Sequence, residues 1–103
     1  LFESLVIQSL QVYAEVLSAR VFHLRTKGGL QEIDVILEGA DRRVVAFEIK
    51  ARATPKSEDT KHLRWLRKKI GPRLADAVLV TTGRLAYRDE DGIAVVPAAL
   101  LGP

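Results

Sequence analysis

A chain of 103 residues that is 48% apolar and 28% charged, with four prolines, has the size and make-up of one folded domain spanning 1–103 and excludes a disordered tail. With no cysteine, disulfides and thiolate metal sites are excluded and a reducing cytoplasm is the expected setting. The net charge of +3 is modest but uneven: residues 56–73 hold Lys56, Lys61, Arg64, Arg67, Lys68, Lys69 and Arg73 against only Glu58 and Asp59, which reads either as a solvated helix face or as a phosphate-facing surface.

The opening "LFESLVIQSL" has no basic leader, and no apolar run approaches the roughly 18 residues that cross a bilayer, so no membrane association is expected. The chain has no methionine and begins inside an apolar-periodic segment, which suggests a piece of a longer protein. Residues 2–19 read as a helix: Val6, Ile7, Leu10, Tyr13, Ala14 and Leu17 line one side, and Ser4, Gln8, Gln11, Glu15 and Ser18 the other. Carrying the apolar stripe back one turn reaches Glu3. An acid there is either favoured by the helix dipole or drawn into a buried site.

The run "RVFHLRT" (20–26) reads as a strand, "KGG" (27–29) as a turn, "LQEIDVILE" (30–38) as a second strand, "GADR" (39–42) as a turn and "RVVAFEIKA" (43–51) as a third. Together they predict a three-stranded antiparallel meander. "RATPK" (52–56) breaks the pattern, and a helix capped by Ser57 or Asp59 runs to about Ile70 with Leu63, Leu66 and Ile70 inward. "AVLVTTG" (77–83) then reads as a strand buried on both faces, reached by a right-handed crossover that makes it parallel to the third strand. A turn at 88–92, an edge strand at 93–97 and a short apolar end at 98–101 complete the chain. The predicted fold is α/β: an αβββαβ core whose mixed central sheet is flanked by a helix on each face.

Strand alternation puts Glu48 and Lys50 on one face of the third strand, about 6.6 Å apart. Pairing residue 34 with residue 48 brings Asp34 to the same face, leaves Ala40, Asp41 and Arg42 as a three-residue loop, and gathers Val35, Leu37, Val45, Phe47 and Ile49 on the opposite, apolar face. A slip of one residue would separate the acids. Two carboxylates about 5 Å apart across a strand pair suit a hard cation such as Mg²⁺ or Mn²⁺, with Lys50 placed to orient water or offset developing negative charge. Glu3 joins as a further ligand or water anchor if the first helix crosses this face. The competing reading is a Glu48–Lys50 salt bridge at a sheet edge with Asp34 in solvent.

His23, alternating with Phe22 and Leu24, reads as structural, His62 as a helix-surface residue, and Trp65 as packing at the core's edge. No nucleophile elbow or Ser/His/Asp set is present, which argues against acyl-transfer chemistry.

Glu3, "EID" ending at Asp34 and "FEIK" (47–50), in αβββαβ order, resemble the PD-(D/E)xK nuclease superfamily with its restriction-endonuclease-like fold. Ile33 stands where the founding motif has proline. More narrowly, "LFESLVIQSL", "FHLRTKGGLQEIDVILE", "VVAFEIKARATP", "HLRWL" and "VLVTTG" resemble the C-terminal domain of a group of bacterial and archaeal AAA-type ATPases. The resemblance implies Asp34, Glu48 and the Ile49 carbonyl as ligands of Mg²⁺ or Mn²⁺, Lys50 as catalytic lysine and Glu3 as helix acid. It also implies DNA as partner, contacted by Arg25, Lys61 and Arg64, and an N-terminal ATPase module in the parent chain, with homo-oligomers a further expectation. The chain itself has no GxxxxGK[ST] motif. Two functions stay open: a metal-dependent deoxyribonuclease, and a nuclease-fold module without turnover that binds nucleic acid or protein for the ATPase.

Overall fold

The computed structural model describes residues 1–102. Its frame is the hairpin of β2 (Glu32–Glu38) and β3 (Val44–Ile49), counted after α1 (Phe2–Leu17) and β1 (Arg20–Arg25). Val35 pairs with Phe47, Ile36 with Ala46, Leu37 with Val45 and Glu38 with Val44, the register in which both strands turn their apolar residues to the same side. The Gly39 N–H donates to the Arg43 carbonyl (3.0 Å) and Arg42 takes a φ of 67°, so Ala40, Asp41 and Arg42 form the expected three-residue loop.

β1 pairs antiparallel with β2, with a bulge between Phe22 and Leu24. After the 3₁₀ turn Ser57–Thr60, helix α2 (Lys61–Ile70) returns the chain to β4 (Leu74–Thr81), which lies parallel to β3. β6 (Ala94–Pro97) runs parallel to β4, and the two-residue β5 (Tyr87–Arg88) pairs antiparallel outside it. The sheet order is β1-β2-β3-β4-β6-β5. The terminal strand is therefore interior, where the sequence predicted an edge. β5, too short to register as a pattern, covers it and is anchored by the Arg88 guanidinium, which grips both oxygens of Asp76 at 2.7 and 2.9 Å and holds that carboxyl below its usual range.

Two cores lie on opposite faces of the sheet. Val35, Leu37, Phe47, Ile49, Val78 and Val80 pack against Val6, Leu10 and Ala14 of α1. Ile33, Ala46, Ala77, Leu79, Ile93 and Val95 pack against Leu63 and Leu66 of α2, with Trp65 and Ile70 at the margin. Ile33 and Val35 thus turn to different helices although strand alternation would put them together, because Asp34 and Val35 stand opposite the single residue His23 of β1 and this bulge in β2 reverses the facing of the residues before it.

The predicted elements hold with shifted ends. α1 stops at Leu17 because Ser18 enters the left-handed region (φ 55°), and its inward face is narrower than the periodicity implied: Tyr13 is 40% and Leu17 71% exposed. β4 begins at Leu74, three residues early, after the short turn at Gly71–Arg73. The predicted second helix starts as the 3₁₀ turn, in which Asp59, 3% exposed, accepts from the Lys56 N–H (2.8 Å) and faces Arg52 Nη1 at 3.5 Å. That Arg52 nitrogen makes no hydrogen bond, so the contact is one of charge alone.

The segment leaving β3 is also bound to β4. Lys50 N–H donates to the Val80 carbonyl (2.9 Å) and Thr82 N–H to the Arg52 carbonyl (3.1 Å). Gly83 passes so close that a Cβ there would sit 2.8 Å from the Ala53 carbonyl oxygen, a backbone atom that cannot swing aside. Gly83→Ala should therefore destabilise the domain by about 1–3 kcal/mol, seen as a lowered melting temperature in calorimetry; an unchanged melt would mean that the loop after β3 is not held there.

Candidate functional site

The β2–β3 ladder ends at Val35 and Phe47, and side chains take over where it stops. Continued in register, Ile49 would face Ile33; instead the Ile49 N–H donates to Asp34 Oδ2 at 2.8 Å. The Asp34 N–H in turn donates to Glu48 Oε1 at 3.1 Å. Each acid satisfies a backbone donor that the parting strands leave open, and the two carboxylates are drawn together by doing so.

Their electrostatics follow from that crowding. Glu48 is 4% exposed. Burial, and then the neighbouring Asp34 charge, push its carboxyl up from 4.5 to about 7, against the opposing effects of the Asp34 N–H and Lys50. Asp34 is raised as well, mainly by burial, with the Ile49 N–H and the Lys50 ammonium acting the other way. Lys50, half-buried just past the end of β3, is thus the basic side chain whose charge acts on both acids.

The structure brings Asp34, Glu48, Ile49 and Lys50 together. It does not bring Glu3 to them. That residue is exposed on α1, which packs against the Val35–Ile49 side of the sheet, while Glu48 follows Ala46 on the α2 side. Arg25 is exposed with its guanidinium over Gly29, and Lys61 is exposed at the start of α2. Arg64 is spent within the protein, donating to the Ser57 carbonyl (3.2 Å) and Thr60 Oγ1 and facing Asp91 at 3.9 Å.

Residues the sequence reading left aside lie at the same end of the sheet. His23 Nδ1 is 3.4 Å from the Asp34 carbonyl, and its Nε2 is 3.8 Å from Glu32. Gln31 Oε1 lies 2.7 Å from His62 Nδ1. The available signal was position: Gln31 and Glu32 immediately precede the Asp34 segment, and His62 precedes Leu63, the most deeply buried residue of α2.

Among the described residues no three His, Asp or Glu side chains surround a common point. Asp34 Oδ1, Glu48 Oε2 and the Ile49 carbonyl remain as oxygen donors for a ligand. A separate groove of about 630 Å³, lined by Phe2, Leu5, Val12 and Tyr13 of α1 and by Ala98 and Leu101, lies apart from these groups.

A six-stranded mixed sheet with a helix on each face makes this a mixed α/β domain, and where two of its strands part it carries an acidic pair of one buried and one half-buried carboxylate. The chain belongs to the family described as domain of unknown function DUF4143, which matches residues 1–101. Its fold is similar to that of protein VC1899 from Vibrio cholerae, known from a crystal structure, with a TM-score of 0.59 and 22% identity. The likeness covers 96% of this chain and 30% of that protein, so the chain spans under a third of its length. No curated protein sequence matches.

The raised carboxyl carries a stability consequence of definite sign. Glu48 binds its proton more tightly folded than unfolded, so its contribution is fully present below 4.5 and is lost as pH rises through about 7, roughly 3 kcal/mol in all. In chelator-treated buffer the melting temperature should fall between pH 5 and pH 8, and Glu48→Gln, which keeps the acceptor for the Asp34 N–H, should remove most of that fall. Parallel melting curves for the two proteins would refute the assignment.

Proposed function

We propose that this domain is a divalent-cation-dependent phosphodiester hydrolase acting on DNA, of restriction-endonuclease-like architecture, serving as the C-terminal part of a cytoplasmic AAA-type ATPase. The observation that carries the reading is the pair Asp34–Glu48, two carboxylates crowded in a nearly buried site with one ammonium, Lys50, beside them. Such a pair is under electrostatic strain that a cation relieves. The element order, with α1 and α2 on opposite faces, agrees with the PD-(D/E)xK resemblance and supports the same reading.

The donor set fits the implied cation. Mg²⁺ prefers hard oxygens and is commonly held by one or two carboxylates with water and substrate phosphate completing its shell, so Asp34, Glu48 and the Ile49 carbonyl suffice. When bound, Mg²⁺ or Mn²⁺ supplies charge neutralisation and polarises a phosphoryl oxygen. The chain's own residues do the rest. Asp34 and Glu48 hold negative charge in place through backbone bonds that fix their rotamers. The Lys50 ammonium, offered at the strand end, donates hydrogen bonds to a phosphate oxygen and offsets charge as it develops there. Arg25 and Lys61, both exposed, supply cations for flanking backbone phosphates.

One observation favours a second reading, a module that holds nucleic acid or a protein without turnover. The two carboxylates already serve the Ile49 and Asp34 N–H groups, so they have a structural use that needs no reaction.

Cleavage of plasmid and oligonucleotide DNA in Mg²⁺ or Mn²⁺ separates the two. Lys50→Ala should lower the rate by about a hundredfold or more while leaving the melting temperature within a few degrees, and Mg²⁺ should stabilise the wild type at pH 8 but not Glu48→Gln. DNA affinity that falls with salt and survives both substitutions, without cleavage by the wild type, would support the second reading instead.

A further inference from the structure

Phe22 belongs to neither core, although its strand partner Ile36 and its near neighbour Leu24 both pack against the α2 cluster. β1 is an outer strand of the sheet, and Leu24 is its one residue packed into that cluster, so the Phe22 ring is left 41% exposed on the α2 side. The Arg20 guanidinium stands over the ring, 5.3 Å from its centroid, while the arginine side chain itself stays 75% exposed. An aromatic ring and a guanidinium together in solvent form a platform for the π-face of an unpaired base.

The charges beside this pair are held in place. Glu38 stands across from Arg20 and is nearly buried; its Oε2 accepts from Arg73 Nη2 at 2.6 Å and its Oε1 lies 3.8 Å from Arg20 Nη1. Arg73 also donates through Nε to the Arg42 carbonyl at 2.8 Å. One buried carboxylate thus orders two arginines that remain open to solvent, and the exposed Arg42 adds a third. The turn's other acid, Asp41, accepts from the Arg43 N–H. This end of the face is therefore cationic.

Strand alternation puts Glu38 and Ile36 on the α2 side, the side that also carries Glu48. Glu38 lies four residues along β2 from Asp34, about 13 Å. The face is thus aromatic and cationic at one end and carboxylate-lined at the other. A duplex keeps its bases turned inward and would leave Phe22 idle, whereas a single strand offers phosphates and open bases together.

We propose that this open face of β1 and β2 is a track for single-stranded DNA, in which a base stacks on Phe22 and Arg20, flanking phosphates meet Arg20, Arg42 and Arg73, and the strand is led toward the Asp34–Glu48 pair. Its direction toward cleavage rests on the phosphodiester reading of the site, whereas the binding does not depend on turnover. At ~3.4 Å per stacked nucleotide, the span from the arginines to the acids holds about four nucleotides.

Fluorescence anisotropy in EDTA, with a labelled mixed-sequence oligonucleotide and a duplex of equal length, tests the track without cleavage. The single strand should bind about tenfold tighter than the duplex. Phe22→Leu, which keeps an apolar side chain beside Ile36 but removes the ring, should weaken single-strand binding about tenfold and leave duplex binding unchanged. Arg20→Gln, with Glu38 still held by Arg73, should also weaken it and reduce the slope of log affinity against log salt by about 0.7. Equal affinity for the two DNAs, no binding of the single strand, or single-strand binding unmoved by Phe22→Leu overturns the proposal. Should Phe22→Leu melt early, Arg20→Gln decides instead: an unchanged affinity and salt slope overturn it. In Mg²⁺ the hydrolase reading adds that a tailed duplex is cut once its single-stranded tail reaches about four nucleotides. Single-strand binding with these variant effects but no cutting in Mg²⁺ or Mn²⁺ supports the track while the hydrolase reading fails.

Discussion

Two antiparallel strands cannot separate without leaving backbone donors unpaired, and β2 and β3 separate after Val35 and Phe47. Asp34 and Glu48 meet that need by accepting the N–H groups of Ile49 and Asp34. The rest of the site depends on this exchange. It fixes both carboxyl groups at the mouth of the divergence, brings like charges together, and thereby creates the cationic demand that Lys50 only partly answers. Structural satisfaction and chemical tension come from the same two hydrogen bonds.

The layers around the exchange are arranged to sustain it. α1 seals the face that carries Val35 and Ile49, and α2 seals the face that carries Ala46. The burial that raises Glu48 is thus maintained on the α2 side, while α1 seals the neighbouring Ile49 on the other face. Beyond β3 the chain is fastened to β4 through Lys50 and Thr82, and the buried Asp59 ties the turn before α2 to Lys56 and Arg52. The Lys50 backbone is held on both sides, its N–H donating to the Val80 carbonyl and its carbonyl accepting from the Arg52 N–H.

The register of the hairpin was legible because Val35, Leu37, Val45, Phe47 and Ile49 admit one alignment that keeps them on a common face, and Asp34, Glu48 and Lys50 came with it. The parallel return through α2 was legible for a related reason, since "AVLVTTG" is too apolar for an exposed strand. What could not be read are features that arise only in three dimensions. The bulge at Asp34 and Val35 sends Ile33 to the opposite core from Val35, against simple alternation. Glu3 continues the apolar stripe of α1 in one dimension, but the helix lies on the far face of the sheet from Glu48. β5 exists through pairing with β6 and the Arg88–Asp76 fork, and two residues leave no periodic trace. The Gln31–His62 contact spans 31 positions and depends on how α2 crosses β2.

The interior position of β6 bears on how the molecule assembles. A sheet laid down in chain order would grow outward at its edge, but here Ala94–Pro97 enters between β4 and the β5 segment that precedes it in sequence. During synthesis, Val78 and Val80 lie on an open strand margin until their partners Ala94 and Val96, each sixteen residues further on, have been made. Completion of the fold is therefore a late, non-local event of the kind that slows folding and leaves a nascent chain open to unwanted strand pairing.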